Sequence, residues 1–98
     1  MKAVELFRQR IVYTENAFAE LLLWRLPVPM AGSRHRYKYR LAYVVNEICV
    51  LRYDNEAGKG DHRHWGGKEG KYEFSSQEQL LMDFQNDIAR WNHENRNS

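Results

Sequence analysis

Apolar and polar residues alternate along most of the chain, and the period lengthens only near its end. From Arg36 to Asn46 the alternation is strict, with Tyr37, Tyr39, Leu41, Tyr43 and Val45 on one side and Arg36, Lys38, Arg40, Ala42 and Val44 on the other. A period of two marks a half-buried strand. Asn46-Glu47 reads as a tight turn, because asparagine tolerates positive φ, and "EICVLRYD" reads as the returning strand. Upstream, Val4, Leu6, Phe7, Ile11 and Val12 fit a twisted, bulged strand between Lys2 and Tyr13 better than a helix face. "TENA" then supplies a turn. "FAELLLWRL" follows as a strand that Pro27 and Pro29 stop, since proline has no N–H for a ladder, and the loop "PVPMAGS" comes next. After residue 70, "KYEF" suggests a short last strand. Ser75 and Glu78 then have the spacing of a capping box, and Leu80, Leu81, Phe84, Ile88 and Trp91 recur at helical spacing. "HENRNS" frays into solvent.

The pattern predicts a single α+β domain over residues 1–98, an antiparallel sheet of about four strands covered on one face by a C-terminal helix. The opposite face is left to be polar or to pair with a partner, and a homo-oligomer stays open. Composition adds little to that. A chain of 98 residues buries one core without disulfides, and the single Cys49 cannot form an internal bridge. It lies in an apolar stretch where burial is expected. The N-terminal segment mixes charged and apolar residues, so neither a signal peptide nor a membrane span is expected, and residence is expected in the cytoplasm.

Charge changes the picture more. The net charge of +2 conceals +5 over residues 1–40, −1 over 41–74 and −2 over 75–98. The basic residues are densest in "RHRYKYR". Such a patch suits nucleic acid or an acidic protein, and Arg36, Lys38 and Arg40 share one side of their strand. A solvated sheet face would look the same.

The candidate chemistry lies in "YDNEAGKGDHRHWGG", residues 53–67, where Gly58, Gly60, Gly66 and Gly67 bracket two histidines and several charges at the end of a strand. His62 and His64 point the same way in an extended segment, as two ligands of one metal would, with Asp54, Asp61 or Glu69 as a third. Together with Glu69 they match the first part of a cupin motif, but the glycines are misplaced and the chain ends in a helix where a cupin needs more strands. A metal is therefore not favoured, and no cofactor is expected. The same groups suit metal-free cleavage of RNA. Either histidine can accept the 2′-OH proton while the other donates to the departing oxygen, with Asp61 beside them and Lys59, Arg63 or Arg36 as cations on the phosphate. Gly58 and Gly60 would add backbone N–H donors. "GKGDH" lacks the spacing of a nucleotide-binding P-loop. Bland alternatives stand beside these. Asp54 and Asn55 can close a turn, Tyr53 can be core, and Trp65 can pack over the helix instead of stacking on a base.

"HRYKYRLAYVVN", "RYDNEAGKGDHRHWGG" and "YEFSSQEQLLMDF" together resemble the TumE family of toxin-antitoxin proteins, whose members share a Y-D-N-x-x-G-K-G-D-H-R-H run ahead of a C-terminal helix. The resemblance spans most of the chain and is most specific from Tyr53 to His64. It implies the toxin half of a two-gene module of type II, partnered by an antitoxin that is usually a helix-turn-helix DNA-binding protein. The motif residues it carries over are Asp54, Asn55, Gly58, Lys59, Gly60, Asp61, His62, Arg63 and His64. It names no reaction. Two functional classes follow, a small ribonuclease acting on RNA and a non-catalytic protein that docks an acidic partner through the basic strand and the glycine run. Catalysis needs His62 and His64 both accessible, whereas docking tolerates one of them buried.

Overall fold

The computed structural model describes residues 2–95. Six strands form one antiparallel sheet in chain order, β1 (Val4–Thr14), β2 (Ala17–Arg25), β3 (Tyr37–Val45), β4 (Ile48–Glu56), β5 (Gly60–Trp65) and β6 (Lys68–Lys71), followed by α1 (Gln77–Asn95). The α+β architecture expected from the sequence is present, with six strands rather than about four. The additional strands are β5, within the run 53–67 expected to leave a strand as a loop, and β6, just beyond it. That run forms most of a hairpin instead, and β5 pairs with β6 beyond it. "KYEF" is correspondingly misplaced, since β6 ends at Lys71 and residues 72–74 have no strand structure.

The β3–β4 turn is the expected one. Asn46 and Glu47 both have positive φ, 50° and 68°, which matches the right-handed twist of a two-residue hairpin. Glycine at the second position would relieve the left-handed strain that a glutamate side chain carries there. At the helix start the cap moves by one residue. Ser76 Oγ accepts the Gln79 N–H at 3.0 Å, so the cap is Ser76, not Ser75, and the Gln79 side-chain amide donates to Asp83 at 2.7 Å.

Within β2 to β5 odd-numbered residues face the helix. Leu21, Leu41 and Tyr53 sit side by side across three strands, as do Leu23 and Tyr39, and Tyr43 and Leu51. Leu80, Phe84 and Ile88 of α1 close this layer, with Phe84 edge-on to Tyr53 at 5.6 Å between ring centroids. Tyr53 is core and Trp65 packs edge-on against Trp91 of the helix, as the bland readings of both had it. Cys49 is the exception. It falls at the β3–β4 bulge beside Val44 and is exposed, because the bulge shifts the alternation just where the apolar run suggested burial.

The helix is fastened by tyrosine hydroxyls as well as by apolar contact. Tyr53 donates to Asp87 at 2.6 Å, Tyr43 to Asn92 at 2.7 Å, and Tyr72 to Asp83. Burial, then the bond to Asp87, pushes the Tyr53 pKa far above its usual range; burial and Asp83 do the same for Tyr72. Both stay protonated donors wherever the protein is folded. A folded pKa raised above the unfolded value of about 10 gives stability that is full below that pH and lost as pH climbs through it. Spectroscopic titration should therefore show Tyr53 and Tyr72 ionising only together with alkaline unfolding; tyrosinate forming at both in the folded protein near pH 10 would contradict these bonds. Glu47→Gly should raise stability in chemical denaturation by about 1 kcal/mol, and a loss would contradict the turn geometry.

Candidate functional site

Even-numbered residues of β2 to β5 point away from the helix, onto a face that no element of the described chain covers. The strand register lines them up in rows. One row runs Arg8, Leu22, Arg40, Asp54, His62 and Lys71, and the next runs Arg10, Glu20, Ala42, Arg52, His64 and Glu69. Beside them Trp24 pairs with Lys38 and Phe18 with Val44. The Arg10 guanidinium lies 3.9 Å over the Phe18 ring, and that of Arg8 lies 6.0 Å over Trp24. Lys38 and Arg40 hold no ion pair or hydrogen bond through their side chains among the described residues. Basic groups interleaved with aromatics on an open sheet are the surface chemistry of single-stranded nucleic acid binding.

The two histidines lie together at one side of this face, as their spacing predicts. His62 Nδ1 is 3.2 Å from Glu69 Oε1, and the same oxygen is 3.8 Å from His64 Nε2. With Nδ1–H donated to Glu69, a neutral His62 carries its lone pair on Nε2, which is buried and has no hydrogen-bond partner. His64 Nε2 is 3.0 Å from Arg52 Nη2, and because arginine only donates, that nitrogen accepts. Arg52 Nε in turn lies 3.2 Å from Asp54 Oδ2. The histidine side chains are largely covered, 14% and 21% exposed. Among the described residues no group of three or more potential metal ligands gathers.

The remaining sequence candidates scatter, and period two is the reason. Asp61 and Arg63 alternate with His62 and His64, so they point to the helix side. Arg63 Nε lies 3.8 Å from Asp87 Oδ2. Asn55 does not close a turn. It is buried, takes the Tyr39 N–H at 3.0 Å and donates to the Tyr37 carbonyl at 2.7 Å, fastening β4 to the start of β3. Asp54 likewise faces Arg52 and closes no turn. Arg36 precedes β3, and Lys59 is exposed at the β4–β5 turn. The Gly58 N–H donates to the Ala31 carbonyl at 2.7 Å, so it is not free for a phosphate. Gly60, at φ 78°, approaches Gly32 so closely that a Cβ would meet the Gly32 oxygen at 2.8 Å. These glycines let the loop of residues 26–36 seat against the β4–β5 turn.

Asp61 completes that seating. Its carboxylate accepts from the Tyr39 hydroxyl at 2.6 Å, the His35 Nε2–H at 2.7 Å and the Ser33 hydroxyl at 3.1 Å. His35 Nδ1 takes the Tyr37 N–H at 3.1 Å, which fixes the tautomer, and Phe74 stacks on the ring at 3.9 Å. Burial, then the bond to Asp61, keeps the Tyr39 hydroxyl protonated far beyond the usual tyrosine range. Sequence reasoning missed His35, Ser33 and Arg52, and met Glu69 only as a candidate metal ligand, not as the partner that orients His62. The parity of Tyr37 and Tyr39 extends back to His35 and was the available signal; Ser33 lies in irregular loop and gave none. Asp61→Ala should lower stability in urea by about 2–4 kcal/mol and speed amide exchange in residues 31–36, because it strands several donors at once. A change below about 0.5 kcal/mol would contradict this role.

The family model of toxin TumE matches residues 2–92, nearly the whole chain. No curated protein and no solved structure gives a significant match. The match runs from β1 into the last turn of α1, so it takes in the open face, both histidines and the loop seated by Asp61. Membership implies a toxin of a toxin-antitoxin system, with an antitoxin as partner, and no helix among the described residues is long and apolar enough to cross a membrane. By this match the chain belongs to the TumE toxin family.

Proposed function

We propose that this toxin acts on RNA in the cytoplasm as a small ribonuclease, with the open sheet face as its substrate surface. The observation that carries the reading is the arrangement of that face, where unpaired Lys38 and Arg40, the arginine–aromatic pairs of β1 and β2, and both His62 and His64 share one side of a single sheet. Phosphates meet Lys38, Arg40 and Arg52, and bases meet Trp24 and Phe18. His62, oriented by Glu69, is the base that takes the 2′-OH proton through Nε2. His64, once it takes up a proton and releases Arg52, supplies the acid, and the freed guanidinium meets the charge building on the phosphate. Asp61, which the sequence placed beside the histidines as catalytic, is reassigned to positioning, since its bonds hold the loop on the other face. Arg63, Asn55, Asp54, Gly58 and Gly60 become supports of the hairpin and helix. Arg36 and Lys59 remain as cations at the margin. The antitoxin is a helix-turn-helix DNA-binding protein that silences the toxin by covering the same face with an acidic segment.

A second reading rests on the burial of His62 Nε2. A docking protein tolerates a covered histidine, whereas catalysis requires the long side chains rising from neighbouring strands to move aside when RNA binds.

Expression without the antitoxin should slow growth and degrade RNA, and His62→Ala or His64→Ala should cut cleavage of a transcript by at least about 100-fold with the fold intact. Folded variants that cut at the wild-type rate would remove the histidines from the mechanism, and wild-type toxicity with intact RNA would favour docking. Loss of cleavage in chelator, restored by one transition metal, would contradict the metal-free scheme. Lys38→Ala with Arg40→Ala should weaken RNA association and reduce its salt slope by roughly 2, because fewer counterions are released; an affinity insensitive to salt would contradict the phosphate contacts.

A further inference from the structure

The end of the sheet carries a second feature that the open-face scheme leaves unused. A cleft of about 580 Å³ opens between the loop before β3, the β4–β5 turn and the segment after β6, lined among others by Arg34, Lys59, Lys71 and Ser33. The side chains of Arg34, Lys59 and Lys71 hold no ion pair or hydrogen bond among the described residues. Two carboxylates line the same cleft. Asp61 is engaged by its three donors and is 10% exposed, and Glu73 is left to face three cations. Three cations against one carboxylate that is free of other partners leave the cleft net positive, and on backbone that glycines hold in place such an excess suits an anion.

The cleft also adjoins the proposed chemistry. Lys71 is paired with His62 across the β5–β6 ladder, so its side chain belongs to the open face, while the same residue lines the cleft. An RNA strand lying along the His62 row reaches the cleft by passing Lys71. From this continuity we propose that the Arg34–Lys59–Lys71 cleft is a phosphate subsite that holds an RNA phosphate next to the one being cut. The proposal rests on the ribonuclease reading for the source of the phosphate, and on the cleft alone for the anion. It also gives the loop seated by Asp61 a reason to be held firmly, since that loop carries Arg34.

The test is an NMR titration of the full chain with adenosine monophosphate, followed by competition with a short 2′-O-methyl RNA that cannot be cleaved through a 2′-OH. Saturable shifts are expected at the amides of Gly32, Ser33, Lys59 and Gly60, with affinity weakened about tenfold by Arg34→Ala with Lys59→Ala. Both replaced cations are exposed and unpartnered, so the double variant keeps the fold, which unchanged shifts in α1 confirm. No saturable shift at these amides, or one the Arg34/Lys59 variant leaves intact, overturns the site. Displacement of the nucleotide by the RNA is expected. Nucleotide binding that RNA does not displace overturns the RNA source and assigns the site to a free nucleotide, whether or not the RNA binds elsewhere. RNA that binds nowhere defeats the ribonuclease reading by itself.

Discussion

Neighbouring residues of a strand cannot serve the same side of a sheet, and this constraint organises the whole molecule. One helix closes one face, so each residue of β2 to β5 is committed either to the layer beneath α1 or to the uncovered side. Tyr53, Arg63 and Asp61 go to the first, Asp54, His62 and His64 to the second. The contiguous motif of the sequence is thus divided in space. Tyr53, Asp61 and Arg63 tie the hairpin to the loop and the helix, while His62 and His64 lie on the uncovered side, where the proposed chemistry would be.

The glycine-rich character of residues 53–67 finds its explanation on the structural side of that division. Gly58 turns the β4–β5 hairpin, and Gly60 lets the hairpin touch the backbone at Gly32. Asp61, immediately after, collects Ser33, His35 and Tyr39. A long loop between β2 and β3 would otherwise have little to hold it, since it contributes no residue to the apolar cluster of strands and helix. Holding it fixes Arg34 at the mouth of the cleft, so residues spent on architecture also position a group available to a ligand.

Much of the fold was legible because its signals are local. The alternation in β3, the Asn46-Glu47 turn and the helical stripe of Leu80, Phe84 and Ile88 each depend on residues close in sequence, and all appear as read. The shifted cap is a matter of adjacent serines, which the pattern alone does not separate. What escaped depends on register between strands. The rows that join Arg52 to His64 and Asp54 to His62, and the contact of Ser33 with Asp61 across 28 positions, are set by pairing that alternation does not specify. The polar run was read as a loop because glycine and charge usually mark one. Here the charged residues still alternate, and that period outweighed the composition.

The tryptophans offer a direct test of which face meets RNA. Trp24 lies on the open face opposite Lys38, whereas Trp65 and Trp91 contact each other beneath the helix side. In an NMR titration with a non-cleavable RNA, the Trp24 indole N–H should shift and saturate while those of Trp65 and Trp91 stay in place. Saturable shifts at Trp65 and Trp91 with Trp24 unmoved would contradict the assignment of the substrate surface to the open sheet face.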